Sequence, residues 1–158
     1  MKGREITMIL GQEHTGICVS DLDRSIAFYR DVMGFTMIKR EEPKATRARK
    51  LGVPGAIIQI AVFEYGKGYQ LELIQYLEPP NPNIFGEPVN SLGQVHISFK
   101  VDDIEKEIER MSKLGVEFVG GKDCEVNAEG PLKGWKWVYF KDPDGTNLEL
   151  IEGDLERD

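Results

Sequence analysis

The sequence has few cysteines, no long apolar run and no excess of positive charge. Two cysteines in 158 residues are too few for a disulfide framework and favour a reducing cytoplasm. No apolar run approaches the roughly 18 residues that span a membrane, and residues 1–5 do not open a signal peptide. A net charge of −7 argues against nucleic-acid binding. We therefore expect a cytoplasmic protein that binds neither membranes nor nucleic acids.

The length and composition indicate one folded domain over residues 1–158. Hydrophobic residues make up 41 % of the chain and charged residues 30 %, which is typical of a globular protein and not of a disordered one. A chain of this length buries enough surface to fold without disulfides or structural metals.

Histidine is scarce, and both histidines begin one copy of an internal repeat. His14 and His96 lie 82 positions apart, and at the same spacing Asp21 matches Asp103. A Leu-Glu-Leu-Ile segment completes each copy, at 71–74 and at 148–151. The order of histidine and then glutamate thus occurs twice. Two copies predict a pair of similar modules.

Each copy has the pattern of a strand, a helix and further strands. Alternating apolar residues predict first strands at about 13–20 and 95–101, and apolar residues at helical spacing predict helices at about 21–33 and 103–114. Further strands are predicted at 35–40, 56–64 and 69–76, and at 116–119, 135–140 and 146–151. The expected helix caps are Ser20 or Asp21 and Asp102 or Asp103, with Gly34 and Gly115 at the helix exits.

Two glutamates are expected on the same strand faces as the histidines. The leucines on either side of Glu72 and of Glu149 face the core, so the carboxylates point into the layer of His14 and His96. Alone, each is typical of a solvated strand residue. Two modules paired with pseudo-twofold symmetry would gather all four on one concave face. Two imidazoles and two carboxylates suit one divalent ion, without choosing among Zn, Ni, Co, Mn and Fe.

Four segments carry a resemblance to a known superfamily. They are residues 14–35, Leu-Glu-Leu-Ile at 71–74, residues 95–104, and residues 139–152 with Asp-Pro-Asp-Gly before the second Leu-Glu-Leu-Ile. In this order they resemble the vicinal oxygen chelate superfamily, which includes glyoxalase I, methylmalonyl-CoA epimerase, fosfomycin-resistance proteins and extradiol dioxygenases.

The resemblance implies an α+β fold of paired βαβββ modules, the glyoxalase/bleomycin-resistance/dioxygenase fold, which forms a half-open barrel around a metal. The modules would lie at about 12–78 and 94–152, with a proline-rich link at about 78–93. The ligand positions of the superfamily fall on His14, Glu72, His96 and Glu149.

The resemblance also implies a lyase or an isomerase, similar to lactoylglutathione lyase or to methylmalonyl-CoA epimerase. Its substrate would be a small molecule with adjacent oxygens, and the metal would stabilise an enolate. We expect Glu149 to remove the proton next to the carbonyl and Glu72 to act as the partner acid or base. The alternative is that both glutamates are ligands only.

Three other functions are open to this superfamily. A non-catalytic, bleomycin-resistance-like binding protein is disfavoured because all four ligand positions are present. An extradiol dioxygenase uses two histidines and one carboxylate, so a fourth ligand at Glu72 argues against it. Thiol transfer to an epoxide, as in fosfomycin resistance, is not excluded by the sequence.

Some further residues are candidates for substrate contact. Trp135 and Trp137 face the same side of their strand and would form an aromatic wall, unless they belong to the core. Arg47 and Lys50 belong to a cationic group that would bind a carboxylate or phosphates, unless it is a solvated loop. We also expect a homodimer, in which the four ligands come from one chain or from two.

Overall fold

Two four-stranded sheets make up most of the fold. The computed structural model describes residues 9–45, 51–81 and 89–153. Their elements are β1 (Thr15–Cys18), α1 (Leu22–Ala27), a π-helical segment (Phe28–Val32), β2 (Thr36–Ala45), β3 (Ile57–Tyr65), β4 (Tyr69–Glu78), β5 (His96–Lys100), α2 (Ile104–Lys113), β6 (Glu125–Val126), β7 (Lys136–Lys141) and β8 (Asn147–Glu152).

Both sheets have the same strand order and the same directions. The orders are β1-β4-β3-β2 and β5-β8-β7-β6. In each sheet the strand that comes first in the chain (β1 or β5) runs parallel to the strand that comes last in the chain (β4 or β8), and the other neighbours are antiparallel. Gly16 pairs with Glu72, and Ser98 pairs with Glu149. Gly16 and Ser98 are 82 positions apart and the two glutamates are 77 apart, which are the two spacings of the sequence repeat. The expected α+β class with two βαβββ-like sheets is confirmed.

The described residues divide into two compact units. The first unit takes residues 9–22 and 34–81, and the second takes residues 23–33 and 89–153. The segment from Asp23 to Met33, which follows β1 in the chain, is therefore part of the second unit.

Alternate residues of each sheet form the core of its unit. The buried apolar residues of the first sheet include Ile17, Ile58, Ala61, Phe63, Leu71 and Leu73, and those of the second unit include Tyr29, Phe99, Ile104, Ile108, Met111, Val138, Phe140, Leu148 and Leu150. Because side chains of a strand alternate between its two faces, the residues between the buried leucines of β4 and β8 lie on the face opposite the core.

The N–H group of the first residue of each α-helix donates a hydrogen bond to a side chain of the sheet strand that comes last in the chain, β4 or β8. The Leu22 N–H donates to Gln75 Oε1 at 2.9 Å, and the Ile104 N–H donates to Glu152 Oε2 at 2.7 Å. Helix N-termini leave such amides without partners inside the helix. Gln75 and Glu152 are equivalent in the repeat, so the two copies share this bond. Asp103 caps α2 as expected, by accepting from the Lys106 N–H.

The first predicted helix is divided into two kinds of turn. An α-helix covers Leu22–Ala27, and a π-helical segment covers Phe28–Val32, where the Met33 N–H donates to Phe28 O at 3.1 Å. Gly34 follows with a φ of 72°, a conformation that glycine adopts without steric cost. Gly115 follows α2 with a φ of 88°, so both expected helix exits are confirmed.

One predicted strand is wrong and one strand was not expected. Residues 116–119 make only an isolated bridge, between Phe118 and Phe140. The reason is that the Val116 N–H donates back to Met111 O of α2 and is committed to the helix end. The short strand β6 at Glu125–Val126 pairs with β7 instead. Among the described residues, no helix has the length and apolar character needed to cross a membrane.

A buried carboxylate anchors the turn between β7 and β8. Asp142 Oδ1 accepts from the N–H groups of Asp144 and Thr146, at 3.0 and 2.8 Å, and Oδ2 accepts from the Tyr29 hydroxyl at 3.0 Å. Burial raises the pKa of the Asp142 carboxyl, which the bonds from Thr146 and Tyr29 oppose. The Tyr29 bond thus stabilises the ionised form of a carboxylate that burial disfavours.

Replacing Tyr29→Phe is expected to lower the free energy of unfolding by about 1–3 kcal/mol at neutral pH, because a buried carboxylate loses one of its donors. The folded pKa of Asp142 lies above its unfolded value, so its contribution to stability is present at acid pH and is lost as the pH rises through the folded pKa. The Tyr29 bond stabilises the ionised carboxylate, which is present at pH 7 and not at pH 3. The loss of stability in Tyr29→Phe should therefore be larger at pH 7 than at pH 3. Denaturant unfolding at both pH values measures it.

The exposed tyrosine Tyr69 provides the control, since Tyr69→Phe removes a hydroxyl at the surface and should change stability by less than about 0.5 kcal/mol. Equal losses in the two variants would contradict the role of the Tyr29 bond.

Candidate functional site

The first predicted ligand pair lies together in the first unit. His14 immediately precedes β1, and Glu72 is on β4 between two buried leucines. His14 Nε2 lies 3.7 Å from Glu72 Oε1. His14 Nδ1 is hydrogen-bonded to the Glu13 carboxylate, and this bond raises the pKa of His14. A carboxylate on Nδ1 favours the tautomer with its proton there and leaves Nε2 available as a ligand.

The second predicted pair repeats this arrangement in the second unit. His96 is the first residue of β5, and its Nε2 lies 3.4 Å from Glu149 Oε2 on β8. The two histidine side chains are similarly exposed, at 43 % and 45 %. The glutamates differ, since Glu149 is 11 % exposed and Glu72 is 24 % exposed. The second carboxylate is thus better shielded from water.

The spacing within each pair suits two ligands of one ion. Zinc lies about 2.0–2.2 Å from nitrogen and carboxylate ligands. Two such ligands are then about 3.0 Å apart at a right angle and about 3.4 Å apart at a tetrahedral angle. The separation of 3.4 Å in the second pair equals the tetrahedral value, and that of 3.7 Å in the first pair is slightly longer. Each unit therefore holds one imidazole and one carboxylate that fit a divalent ion, and their role as ligands stays a prediction.

Another group of carboxylates lies on a different surface of the second unit. Asp103, Glu105 and Glu152 offer oxygens within 4.8 Å of one another. Lys136 Nζ lies 2.8 Å from Glu105 Oε1 and 3.2 Å from Glu152 Oε1, and these bonds raise the pKa of Lys136. This group of carboxylates can bind a cation, and the ammonium group of Lys136 is the cation beside it.

The predicted tryptophans have separate surroundings. The Trp135 ring lies against Gly153, where a Cβ would come within 2.2 Å of it. Trp137 Nε1–H donates to Asn127 Oδ1 at 3.2 Å. Both tryptophans are partly buried, and their contact with a substrate stays a prediction. Arg47 and Lys50 lie outside the described residues.

Tyr139 is a residue of the site that the sequence reasoning missed. It pairs with Glu149 across β7 and β8, and its ring packs edge to face on His96 with centroids 5.2 Å apart. Burial, and next the charge of Glu149, raise the pKa of the Tyr139 hydroxyl. The available signal was its place two residues after Trp137, on the same face of the strand.

Lys39 is a second residue near the first His–Glu pair that the sequence reasoning missed. It pairs with Val62, which in turn pairs with Glu72. Lys39 Nζ lies 2.5 Å from Glu41 Oε1, and Lys44 also contacts Glu41. The hydrogen bond to Glu41 and next the charge of Glu41 raise the pKa of Lys39, and the charge of Glu72 makes the smallest contribution to the rise. The bonds from Lys39 and Lys44 lower the pKa of Glu41 to about 2. A positive charge therefore lies near the first pair.

The chain is similar to proteins whose activities involve small molecules. The sequence model described as the Glyoxalase/Bleomycin resistance protein/Dioxygenase superfamily matches residues 11–150. A 2-epi-5-epi-valiolone epimerase from Actinomyces sp is 33 % identical over 158 residues, which cover 96 % of this chain and 84 % of the relative. A lactoylglutathione lyase from Pseudomonas aeruginosa is 29 % identical over 153 residues, covering 90 % of this chain and 82 % of the relative.

Among solved structures, a glyoxalase family protein from Bacillus cereus superposes with a TM-score of 0.75. It is 25 % identical, and the match covers 95 % of this chain and 98 % of the other.

Replacing Lys39→Gln is expected to raise the pKa of Glu41 from about 2 toward its ordinary value of about 4.3, because the carboxylate loses the hydrogen bond that lowers its pKa most. The side-chain carboxyl carbon of Glu41, followed by NMR over a pH titration, measures the change. In the matched variant Lys44→Gln the bond from Lys39, which is the larger cause of the low pKa, stays, so the rise should be smaller. An unchanged titration of Glu41 in Lys39→Gln would refute this account of the charges.

Proposed function

The chain belongs to the glyoxalase/bleomycin resistance protein/dioxygenase superfamily, and we propose that it is a divalent-metal-dependent enzyme that transfers a proton at the carbon next to a carbonyl. The observation that carries the proposal is the pair of equivalent His–Glu contacts, His14 with Glu72 and His96 with Glu149. The substrate class is a small molecule with two adjacent oxygens.

The donor set supports one divalent ion for the four residues. Two carboxylates balance the two positive charges, and two imidazoles add neutral donors that transition metals accept. Four protein ligands leave an octahedral ion two positions, which suits two oxygens of one substrate. The proposal includes a homodimer, with the ligands supplied by one chain or by two.

When bound, the ion supplies Lewis-acid stabilisation of negative charge on the substrate oxygens. The chain supplies the proton transfers. We assign the base to Glu149, because its side chain is the less exposed of the two glutamates and lies beside Tyr139 on the neighbouring strand, where little water competes for it. Glu149 takes the proton next to the carbonyl, and Glu72 is the partner acid or base in the transfer.

The names of two relatives support this reaction class. The Actinomyces relative is named as an epimerase and the Pseudomonas relative as a lyase. Two carboxylates, one in each unit, suit an epimerase, because one group can remove a proton and the other can return it at the opposite face of the same carbon. We therefore place epimerisation first and the glyoxalase-type lyase reaction second.

The purified protein is expected to contain about one divalent metal ion per chain, as measured by elemental analysis after expression without a metal-binding tag. His14→Ala and His96→Ala should each lower this content strongly, because each removes one of four ligands. Lys44→Ala, a change at an exposed cation, is the control and should leave the content unchanged. Full metal content in both histidine variants would rule out the proposed ligands.

Mixing the two histidine variants tells a one-chain site from a shared one. If the pairs of two chains share an ion, a mixed dimer contains one site with all four ligands, and metal binding recovers in part. If both pairs of one chain hold the ion, every site lacks one histidine and nothing recovers. Refolding the variants together, followed by metal analysis, gives the answer.

Replacing Glu149→Gln is expected to slow proton exchange with solvent by about 100-fold or more, because an amide cannot accept the proton, while the amide oxygen can still bind the ion. The reaction is followed by NMR in D₂O with 2-epi-5-epi-valiolone or a glutathione hemithioacetal as the probe. Glu117→Gln removes an exposed carboxylate of the same unit and is the control.

If Glu149→Gln incorporated deuterium at the wild-type rate, Glu149 would not be the base. If neither probe exchanges and the metal-loaded protein instead consumes oxygen with a catechol, the chain is a dioxygenase and the proposed reaction is wrong.

A further inference from the structure

The two His–Glu pairs have different neighbours at equivalent positions of their sheets. Glu72 pairs with Val62 on β3, and Glu149 pairs with Tyr139 on β7. Val62 and Tyr139 are separated by the same 77 positions as the two glutamates. The repeat therefore places an aliphatic side chain beside the first pair and an aromatic one beside the second.

Tyr139 belongs to a row of packed rings that ends on His96. The Tyr139 and His96 rings are 5.2 Å apart at 77°, and the Trp137 and Tyr139 rings are 5.6 Å apart at 78°. Both pairs have the edge-to-face geometry that aromatic rings prefer. A row of this kind restricts the rotation of each ring, because turning one ring opens a gap or a clash at the next.

The far end of the row is hydrogen-bonded to the side chain of a residue whose backbone is itself held. Trp137 Nε1–H donates to Asn127 Oδ1 at 3.2 Å. Asn127 is itself held on both sides, since its N–H donates to Trp135 O and its carbonyl accepts from the Gly134 N–H. The orientation of the row is therefore set by residues outside the His–Glu pair.

We propose that Tyr139 is a positioning residue for His96, which holds the imidazole so that its Nε2 faces Glu149. The proposal rests on the proposed function where it concerns metal affinity, because the neighbours of a metal-ligating histidine fix its ring and tune its affinity. The orientation of the ring is a property of the metal-free chain and is tested separately.

The chain makes this test simple, because His14 and His96 are its two histidines. In metal-free wild-type protein, NMR should show contacts between the ring protons of His96 and Tyr139. In Tyr139→Val the ring protons of His96 should shift toward unstructured values, and those of His14 should keep their positions. Tyr139→Phe preserves the ring and should restore the wild-type His96 signals. Tyr69→Val, the same change at an exposed tyrosine of the first unit, should move neither histidine.

Zinc titration of the same metal-free variants gives the second readout. Tyr139→Val should weaken Zn²⁺ binding by about 10-fold or more, and Tyr139→Phe should bind like the wild type. Tyr139→Leu replaces Tyr139→Val if the latter does not fold, as judged by circular dichroism, with the same expected results.

Two results would overturn the proposal: unchanged His96 signals in Tyr139→Val, or unchanged Zn²⁺ affinity in a protein whose wild type binds zinc. A wild type that binds no divalent metal overturns the proposed function instead, and the NMR result then decides the positioning role by itself.

Discussion

Parallel pairing between the first and last strands of each sheet places every imidazole beside its carboxylate. β1 runs beside β4, and β5 runs beside β8, in the same register relative to the repeat. Because side chains alternate along a strand, a slip of one residue in either pairing would turn the glutamate toward the core and a leucine toward the histidine. The leucines that flank each glutamate are fully or almost fully buried, so their burial resists that slip.

The two units keep this constraint and differ in most of what surrounds it. Gln75 and Glu152 bond the first helix amides from equivalent positions, with an amide in one unit and a carboxylate in the other. Lys39 brings positive charge to the first pair, whereas an aromatic ring lies against His96. A repeat that keeps its geometry and changes its neighbours gives two carboxylates of the same type different environments, and different environments can assign them different roles in proton transfer.

Much of the fold and of the candidate site could be predicted because it depends on short-range patterns. Alternation along a strand and spacing along a helix are properties of neighbouring residues, so the strands that carry Glu72 and Glu149 and the helix exit at Gly115 were predicted correctly. The strand expected at 116–119 failed because its pattern competes with a bond from Val116 to the end of α2, and a local pattern does not show such a competitor.

The amino-acid sequence alone sets the twofold repeat, the faces of its strands and the two pairs of metal-capable residues, since each follows from spacing along the chain. Tertiary packing sets the bond from Gln75 to the first helix, the contact of Tyr139 with His96 and the charge of Lys39 near Glu72. These depend on which strands become neighbours and in which register, and residues far apart in the chain meet only when the sheets form.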